Sequence, residues 1–160
     1  MMQWDRITLG RMAKEMGFVR DTLEKVSRLA DVLKFMEEDE LLSQSLALKG
    51  GTAINLTIFN LPRLSVDIDL DYCKSIEREH MLADRERITA QIGKYMTANG
   101  YSLSAKSKTY HALDSFVYEY MNCGGVRDNL KIEINYMLRC HVLPVARRNV
   151  NLPWNQQMLT

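Results

Sequence analysis

The chain has 160 residues, which suits one domain with a sizeable core. Hydrophobic residues make up 46% and charged residues 26% of it, as is ordinary for a soluble globular protein. The formal net charge of +1 excludes a protein that attracts nucleic acid through its overall charge, so any RNA-binding surface has to be a local patch.

Cysteine usage and the N-terminal segment predict a cytoplasmic protein. Cys73, Cys123 and Cys140 are scattered and form no Cys-x-x-Cys pair, which argues against a disulfide framework and against a zinc site. The first residues contain no apolar signal segment, and no apolar run approaches the ~18 residues that a membrane span needs. We therefore expect no membrane partner.

Two helices are predicted before the first strand. A weak helical pattern runs from Ile7 to near Gly17, and a longer helix starts at Asp21, with apolar residues recurring every three or four positions. The longer helix either contacts a partner protein or packs on the core as an ordinary amphipathic helix. The regular apolar stripe favours packing on the core.

A glycine turn interrupts the chain after a short predicted strand at Leu46–Leu48. Gly50 and Gly51 allow the backbone to come close to a ligand. Thr52 is a suitable N-cap for a short helix predicted over residues 53–59, and the N-terminus of a helix favours an anion. This turn is therefore a candidate phosphate-binding segment.

A strictly alternating strand follows the glycine turn at Ser65–Asp71. Because side chains on a strand alternate between faces, Asp67, Asp69 and Asp71 point to the side opposite the apolar residues. Carboxylates in such a row repel one another unless a cation lies between them, and Mg²⁺ prefers carboxylate and phosphate oxygens. The combination is typical of a metal-assisted nucleotide-transfer site.

The second half of the chain alternates a helix with further strands. A helix is predicted over residues 76–97 and ends at Asn99–Gly100, and short strands are predicted at 101–103, 115–122 and 130–136. The aromatic side chains of the 115–122 strand could stack on bases, but without a basic surround they are interpreted as core. Lys106–Lys108 is interpreted as a solvated basic loop rather than a contact to RNA phosphates.

Glu133 lies on the last of these strands, which also alternates strictly. On its own, a glutamate at such a position is most simply a solvent-facing residue. Beside Asp67 and Asp69, it becomes a candidate third carboxylate that could orient an acceptor hydroxyl or act as its general base.

The sequence K-G-G-T at residues 49–52, followed by R-L-S-V-D-I-D-L at 63–70, resembles the signature of the AbiEii/AbiGii toxin family. This family is similar in its core to the DNA polymerase β-like nucleotidyltransferases. The resemblance implies an α/β (α+β) nucleotidyltransferase fold with a small mixed twisted sheet flanked by helices. It also implies one domain over residues 1–160: N-terminal helices at 1–45, a catalytic core at 46–139, and an irregular tail at 140–160 that lacks the family's C-terminal helical part.

The resemblance further implies a toxin of a toxin–antitoxin or abortive-infection system. Such an enzyme moves a nucleoside monophosphate from an NTP to an acceptor hydroxyl, here on RNA such as tRNA, and has an antitoxin as partner. Catalysis and the binding of two Mg²⁺ ions, or Mn²⁺ in their place, are assigned to Asp67, Asp69 and Glu133. Nucleotide binding is assigned to Lys49, Gly50, Gly51, Thr52, Arg63 and Ser65.

Two alternatives remain open at this point. The acceptor could be a small molecule or a protein hydroxyl, as in other branches of the superfamily. The domain could also bind a nucleotide without turning it over.

Overall fold

A computed structural model describes residues 5–17, 19–49, 67–74 and 76–137. In chain order, the helices and strands of this part are α1 (Arg6–Met16), α2 (Arg20–Glu38), α3 (Glu40–Ser45), β1 (Leu46–Lys49), β2 (Asp67–Tyr72), α4 (Arg78–Ala98), β3 (Ser102–Leu103), β4 (Lys108–Thr109), β5 (Leu113–Met121) and β6 (Arg127–Asn135). Among these helices, none is long and apolar enough to cross a bilayer.

The strands form one mixed sheet, ordered β1–β2–β6–β5–β3, with β4 also paired to β5. Strand β2 runs parallel to β6, whereas β1–β2, β5–β6, β3–β5 and β4–β5 are antiparallel pairs. The predicted α/β fold with a small mixed sheet and flanking helices is therefore confirmed. The position of β6 beside β2 is the feature that matters for the site, because it makes the acidic strand and the Glu133 strand direct neighbours.

The core lies on one face of this sheet. Strands β2, β5 and β6 alternate between buried and accessible residues, as their sequences predict. Helices α2 and α4 contribute apolar residues such as Val32 and Ile92 to the same cluster. The aromatic residues of β5 are buried there, as interpreted from the sequence: Phe116, Tyr118 and Tyr120.

The opposite face of the sheet remains accessible to solvent. On β2, β5 and β6, the residues that alternate with the core residues are all partly or fully exposed. We call this surface the open face. It carries most of the charged residues of β2, β5 and β6, including the three aspartates of β2.

Local residues define the ends of several elements. Asp5 caps α1 by accepting a 2.7 Å hydrogen bond from the amide of Thr8. The Asn99–Gly100 stop after α4 is confirmed, with Gly100 at a φ of 86° in the left-handed region. The interpretation of 106–108 as a loop was wrong at its end, because Lys108 begins strand β4 by pairing with Ser115. The predicted helix at 53–59 lies outside the described residues.

A buried ion pair fixes α4 to the start of β5. Arg85 donates to both carboxylate oxygens of Asp114 at 3.1 and 2.7 Å. The same guanidinium donates to the carbonyl oxygens of Tyr110 and His111 at 2.7 and 2.8 Å. Only 11% of the Arg85 side chain and 3% of that of Asp114 are exposed. Removing one partner would leave the other charge buried without compensation.

We predict that Arg85→Ala lowers the free energy of unfolding by about 3–5 kcal/mol, as expected for a broken buried pair. Arg87→Ala is the matched control on the same helix. Arg87 lies 3.7 Å from Asp84 with 67% of its side chain exposed, and its loss should cost less than about 1 kcal/mol. Urea denaturation of the two variants measures the difference. Equal stability of the two would contradict the structural role of the Arg85–Asp114 pair.

Candidate active site

Strand register aligns the predicted acidic residues in one row across the open face. Asp69 of β2 lies opposite Glu133 of β6, and on its other side it lies opposite Lys49 of β1. Glu133 in turn lies opposite Ser115 of β5. One row therefore contains Lys49, Asp69, Glu133 and Ser115, and Asp67 lies in the adjacent row.

The packing of the core imposes this arrangement. Ile68 and Leu70 are 0% and 3% exposed under the helices, which forces the aspartates between them onto the open face. On β6, Ile132 and Ile134 are both 0% exposed and force Glu133 onto the same side. A shift of one residue in either strand would bury the carboxylates and expose the isoleucines.

The position of Asp69 in this row disfavours its ionised form. Partial burial raises the pKa of Asp69, and the negative charges of Glu133 and Asp67 raise it further. The ammonium of Lys49 acts in the opposite direction but does not cancel these effects. Asp69 is thus a carboxylate for which the folded protein supplies less positive charge than it needs.

Glu133 is held by two neighbours on the open face. Lys131 Nζ lies 2.6 Å from Glu133 Oε1, and Ser115 Oγ donates to the same oxygen at 3.4 Å. The hydrogen bond from Lys131 lowers the pKa of Glu133, and the same bond raises the pKa of Lys131. Lys131 lies opposite Asp67 in the strand register, so its ammonium is close to the whole acidic group.

Lys49, a predicted nucleotide-binding residue, pairs with an aspartate of β2. Its Nζ lies 2.5 Å from Asp71 Oδ1, with 41% of the lysine side chain exposed. Asp71 therefore compensates the charge of Lys49. The pair lies in contact with the acidic row, since Lys49 is also the register partner of Asp69.

Only some of the assigned residues can be located. The structure brings Lys49, Asp67, Asp69 and Glu133 together on the open face. Lys131 and Ser115 were missed as site residues, although the alternation of β6 already places Lys131 beside Glu133. Finding Ser115 requires the β5–β6 register, for which the sequence has no local signal. The other assigned residues lie outside the described part: Gly50, Gly51, Thr52, Arg63 and Ser65.

The donor atoms of this group fit a hard cation. Within the described residues, no three His, Cys, Asp or Glu side chains are arranged to hold a metal ion, and Glu133 is turned towards Lys131. Mg²⁺ needs fewer protein ligands than that, because one or two carboxylates and the substrate phosphates commonly complete its shell. Asp67 and Asp69 are the carboxylates that could serve in this way, and partial burial together with the charges of Glu133 and Asp67 raises the pKa of Asp69.

A groove extends from the acidic row across β5 and β4. Its volume is about 660 Å³, and Lys131 and Glu133 line the end of the groove that is nearest to the aspartates of β2. The remaining lining residues come from β4, β5 and β6 and from the segments before β4 and β5: Lys106, Lys108, Tyr110, Leu113, Ser115, Val117 and Asn129.

One protein family matches most of the chain. The family described as "Nucleotidyl transferase AbiEii toxin, Type IV TA system" matches residues 34–158, a range that includes all strands described above. No curated protein and no solved structure matches the chain. The family match confirms the resemblance inferred from the glycine turn and the Asp-x-Asp strand. The chain belongs to the AbiEii family of nucleotidyltransferase toxins of type IV toxin–antitoxin systems.

Proposed function

We propose that this chain transfers a nucleoside monophosphate from an NTP to a hydroxyl group of an RNA acceptor such as tRNA. The observation that carries the proposal is the row in which Asp69 and Glu133 are register partners, with Asp67 beside them, in a chain of the AbiEii family. Carboxylates on adjacent strands can hold a metal–triphosphate complex and an acceptor oxygen at the same time. The family also implies an antitoxin partner, and we propose that the chain has one.

In this proposal the residues of the open face have distinct tasks. Asp67 and Asp69 would hold Mg²⁺, or Mn²⁺ in its place, beside the triphosphate. When bound, the metal supplies the positive charge that neutralises the triphosphate and the attacking oxygen. Glu133 accepts the proton of the acceptor hydroxyl or orients it, since its lowered pKa keeps it ionised and able to accept.

The two lysines set the charge around these acids. Lys131 keeps Glu133 ionised and lies within reach of the phosphates that enter the groove. Lys49 adds positive charge beside Asp69 and is tethered by Asp71. In this arrangement the acceptor oxygen attacks the α-phosphorus, the bond from that phosphorus to the bridging oxygen breaks, and pyrophosphate leaves.

We predict that Asp67→Asn and Asp69→Asn each reduce transfer by at least about 10²-fold, because several kcal/mol of charge stabilisation are lost. Glu133→Gln should reduce it by about 10²–10⁴-fold, the usual contribution of an acid–base group. The assay measures label transferred from each α-³²P-labelled NTP to total bacterial RNA in the presence of Mg²⁺.

Glu119→Gln is the control for Glu133→Gln. Glu119 is on the open face of the neighbouring strand, its side chain is 30% exposed like that of Glu133, and it pairs with Arg127 away from the acidic row. It should retain full transfer. Label on protein or on a small molecule instead of RNA would show that RNA is not the acceptor. Binding of NTP without any transfer would show that the chain is a nucleotide-binding domain and not an enzyme.

We predict that Asp69→Asn and Asp71→Asn, two substitutions on β2, change the stability of the protein in opposite directions. Folding raises the pKa of Asp69 and so disfavours its ionised form. The resulting loss of protein stability is absent below the ordinary carboxyl pKa and grows as the pH rises through the raised folded-state pKa. Asp69→Asn should therefore stabilise the metal-free protein at neutral pH, by up to about 1 kcal/mol, and not at acidic pH. Adding Mg²⁺ should reduce the difference in stability between Asp69→Asn and the wild type, because the cation offsets the repulsion between the carboxylates of the wild type.

Asp71→Asn is the comparison for that experiment. The Asp71→Asn variant loses the 2.5 Å ion pair between Asp71 and Lys49. Because this pair is partly exposed, the loss should destabilise the protein by up to about 1 kcal/mol. Thermal melts at neutral and acidic pH, with and without Mg²⁺, measure both changes. A destabilised Asp69→Asn protein at neutral pH would contradict the inferred repulsion.

A further inference from the structure

We propose that the groove on β4, β5 and β6 holds the single-stranded end of the RNA acceptor, with its phosphates on Lys106 and Lys108 and a base on Tyr110. This inference rests on the proposed function, since it names how the acceptor of that reaction is bound. The groove begins at Glu133, the residue assigned to the acceptor hydroxyl, and leads away from the metal-binding aspartates.

The positions of the two lysines follow from the sheet. Lys108 is the register partner of Ser115, which is the register partner of Glu133. Adjacent strands lie 4.7–4.9 Å apart, so the backbone of Lys108 is about 10 Å from that of Glu133. A chain that presents its terminal hydroxyl to Glu133 would therefore pass over β5 and reach these lysines with its next phosphates.

The charges along the groove change from mixed to positive with distance from the acids. Lys131 is compensated by Glu133 at 2.6 Å. Lys106 and Lys108 are exposed, and no carboxylate of the described residues forms an ion pair with either of them. An anion in this part of the groove would thus meet positive charge that is not already compensated there, although the whole chain is close to neutral.

The segment that carries the lysines is held against β5. Ser107 lies between them, and its Oγ accepts a 2.9 Å hydrogen bond from the amide of Val117. The amide of Ser104 donates to the carbonyl oxygen of Val117 at 2.8 Å. Because these bonds fix the backbone on both sides of Lys106, less ordering is needed when a phosphate binds.

Tyr110 adds an aromatic surface at the edge of the groove. It is 51% exposed, unlike the buried aromatic residues of β5. Its backbone is fixed by the bond from Arg85 to its carbonyl oxygen at 2.7 Å and by the bond from its own amide to the Leu113 carbonyl oxygen at 2.7 Å. An exposed ring beside backbone-binding lysines is the usual arrangement for single-stranded RNA, whose unstacked bases pack on aromatic faces.

The test compares two double variants with the same change in net charge. Lys106→Ala/Lys108→Ala removes the groove lysines, and Lys14→Ala/Lys94→Ala removes two exposed lysines on α1 and α4. Binding of a short 5′-fluorescein-labelled single-stranded RNA is measured by anisotropy in KCl between ~50 and ~200 mM, in EDTA and without NTP. Omitting metal and NTP separates binding in the groove from the transfer reaction.

We expect the groove double variant to bind more weakly and to lose about 1.4 from the slope of log affinity against log salt, because each phosphate contact on a single strand contributes about 0.7. The Lys14/Lys94 variant should bind as the wild type does. Tyr110→Ala should weaken binding by roughly tenfold and Tyr110→Trp should restore it, as stacking predicts. Circular dichroism checks that all four proteins remain folded.

The inference is overturned if the wild type does not bind the RNA at the lowest salt concentration, or if the two double variants lose affinity equally. The proposed function can fail separately. If the groove variant loses RNA binding while wild type transfers no nucleotide to RNA, the groove is an RNA site and the transfer reaction is wrong. If wild type labels a protein or a small molecule and does not bind RNA, transfer stands and the groove inference falls.

Discussion

The parallel pairing of β2 with β6 is the constraint on which the site depends. Strand β2 (Asp67–Tyr72) and strand β6 (Arg127–Asn135) are separated by more than fifty residues of the chain. Their register nevertheless makes Asp69 and Glu133 direct partners. Parallel strands are joined by long connections, so the register is maintained by the packing of both strands against the helices rather than by a turn. The buried isoleucines on either side of the carboxylates therefore determine the geometry of the acids, although they never touch a substrate.

The acidic site is only partly balanced by its own lysines. Four carboxylates and two ammonium groups lie on the open face of β1, β2 and β6, and each lysine has an acidic partner: Lys49 with Asp71 and Lys131 with Glu133. Asp69 gains least from this arrangement, because partial burial and two neighbouring acids raise its pKa while Lys49 compensates them only in part. Such unbalanced charge is expected where a protein is adapted to a ligand instead of to its own stability. In the proposed function, the Mg²⁺ that Asp67 and Asp69 would hold supplies the compensating positive charge.

Much of this arrangement was accessible from the sequence because it follows from periodicity. The alternation of β2 and β6 predicted which residues share a face, and the aromatic residues of β5 were correctly interpreted as core. Register was not accessible, so the approach of Glu133 to Asp69 could only be assumed from the family resemblance, and Ser115 was missed. Lys106 and Lys108 show the same limit, since a pattern of local residues contains no information about which distant strand lies beside them.

The separation of the two faces of the sheet has a consequence for how this protein tolerates mutation. Residues such as Ile132 and Leu70 support the fold from one side, while Glu133 and Asp69 lie on the other without contributing to the core. Substitutions on the two faces should therefore have separable effects. Changes on the buried face would lower the amount of folded protein, and changes on the open face would leave that amount unchanged.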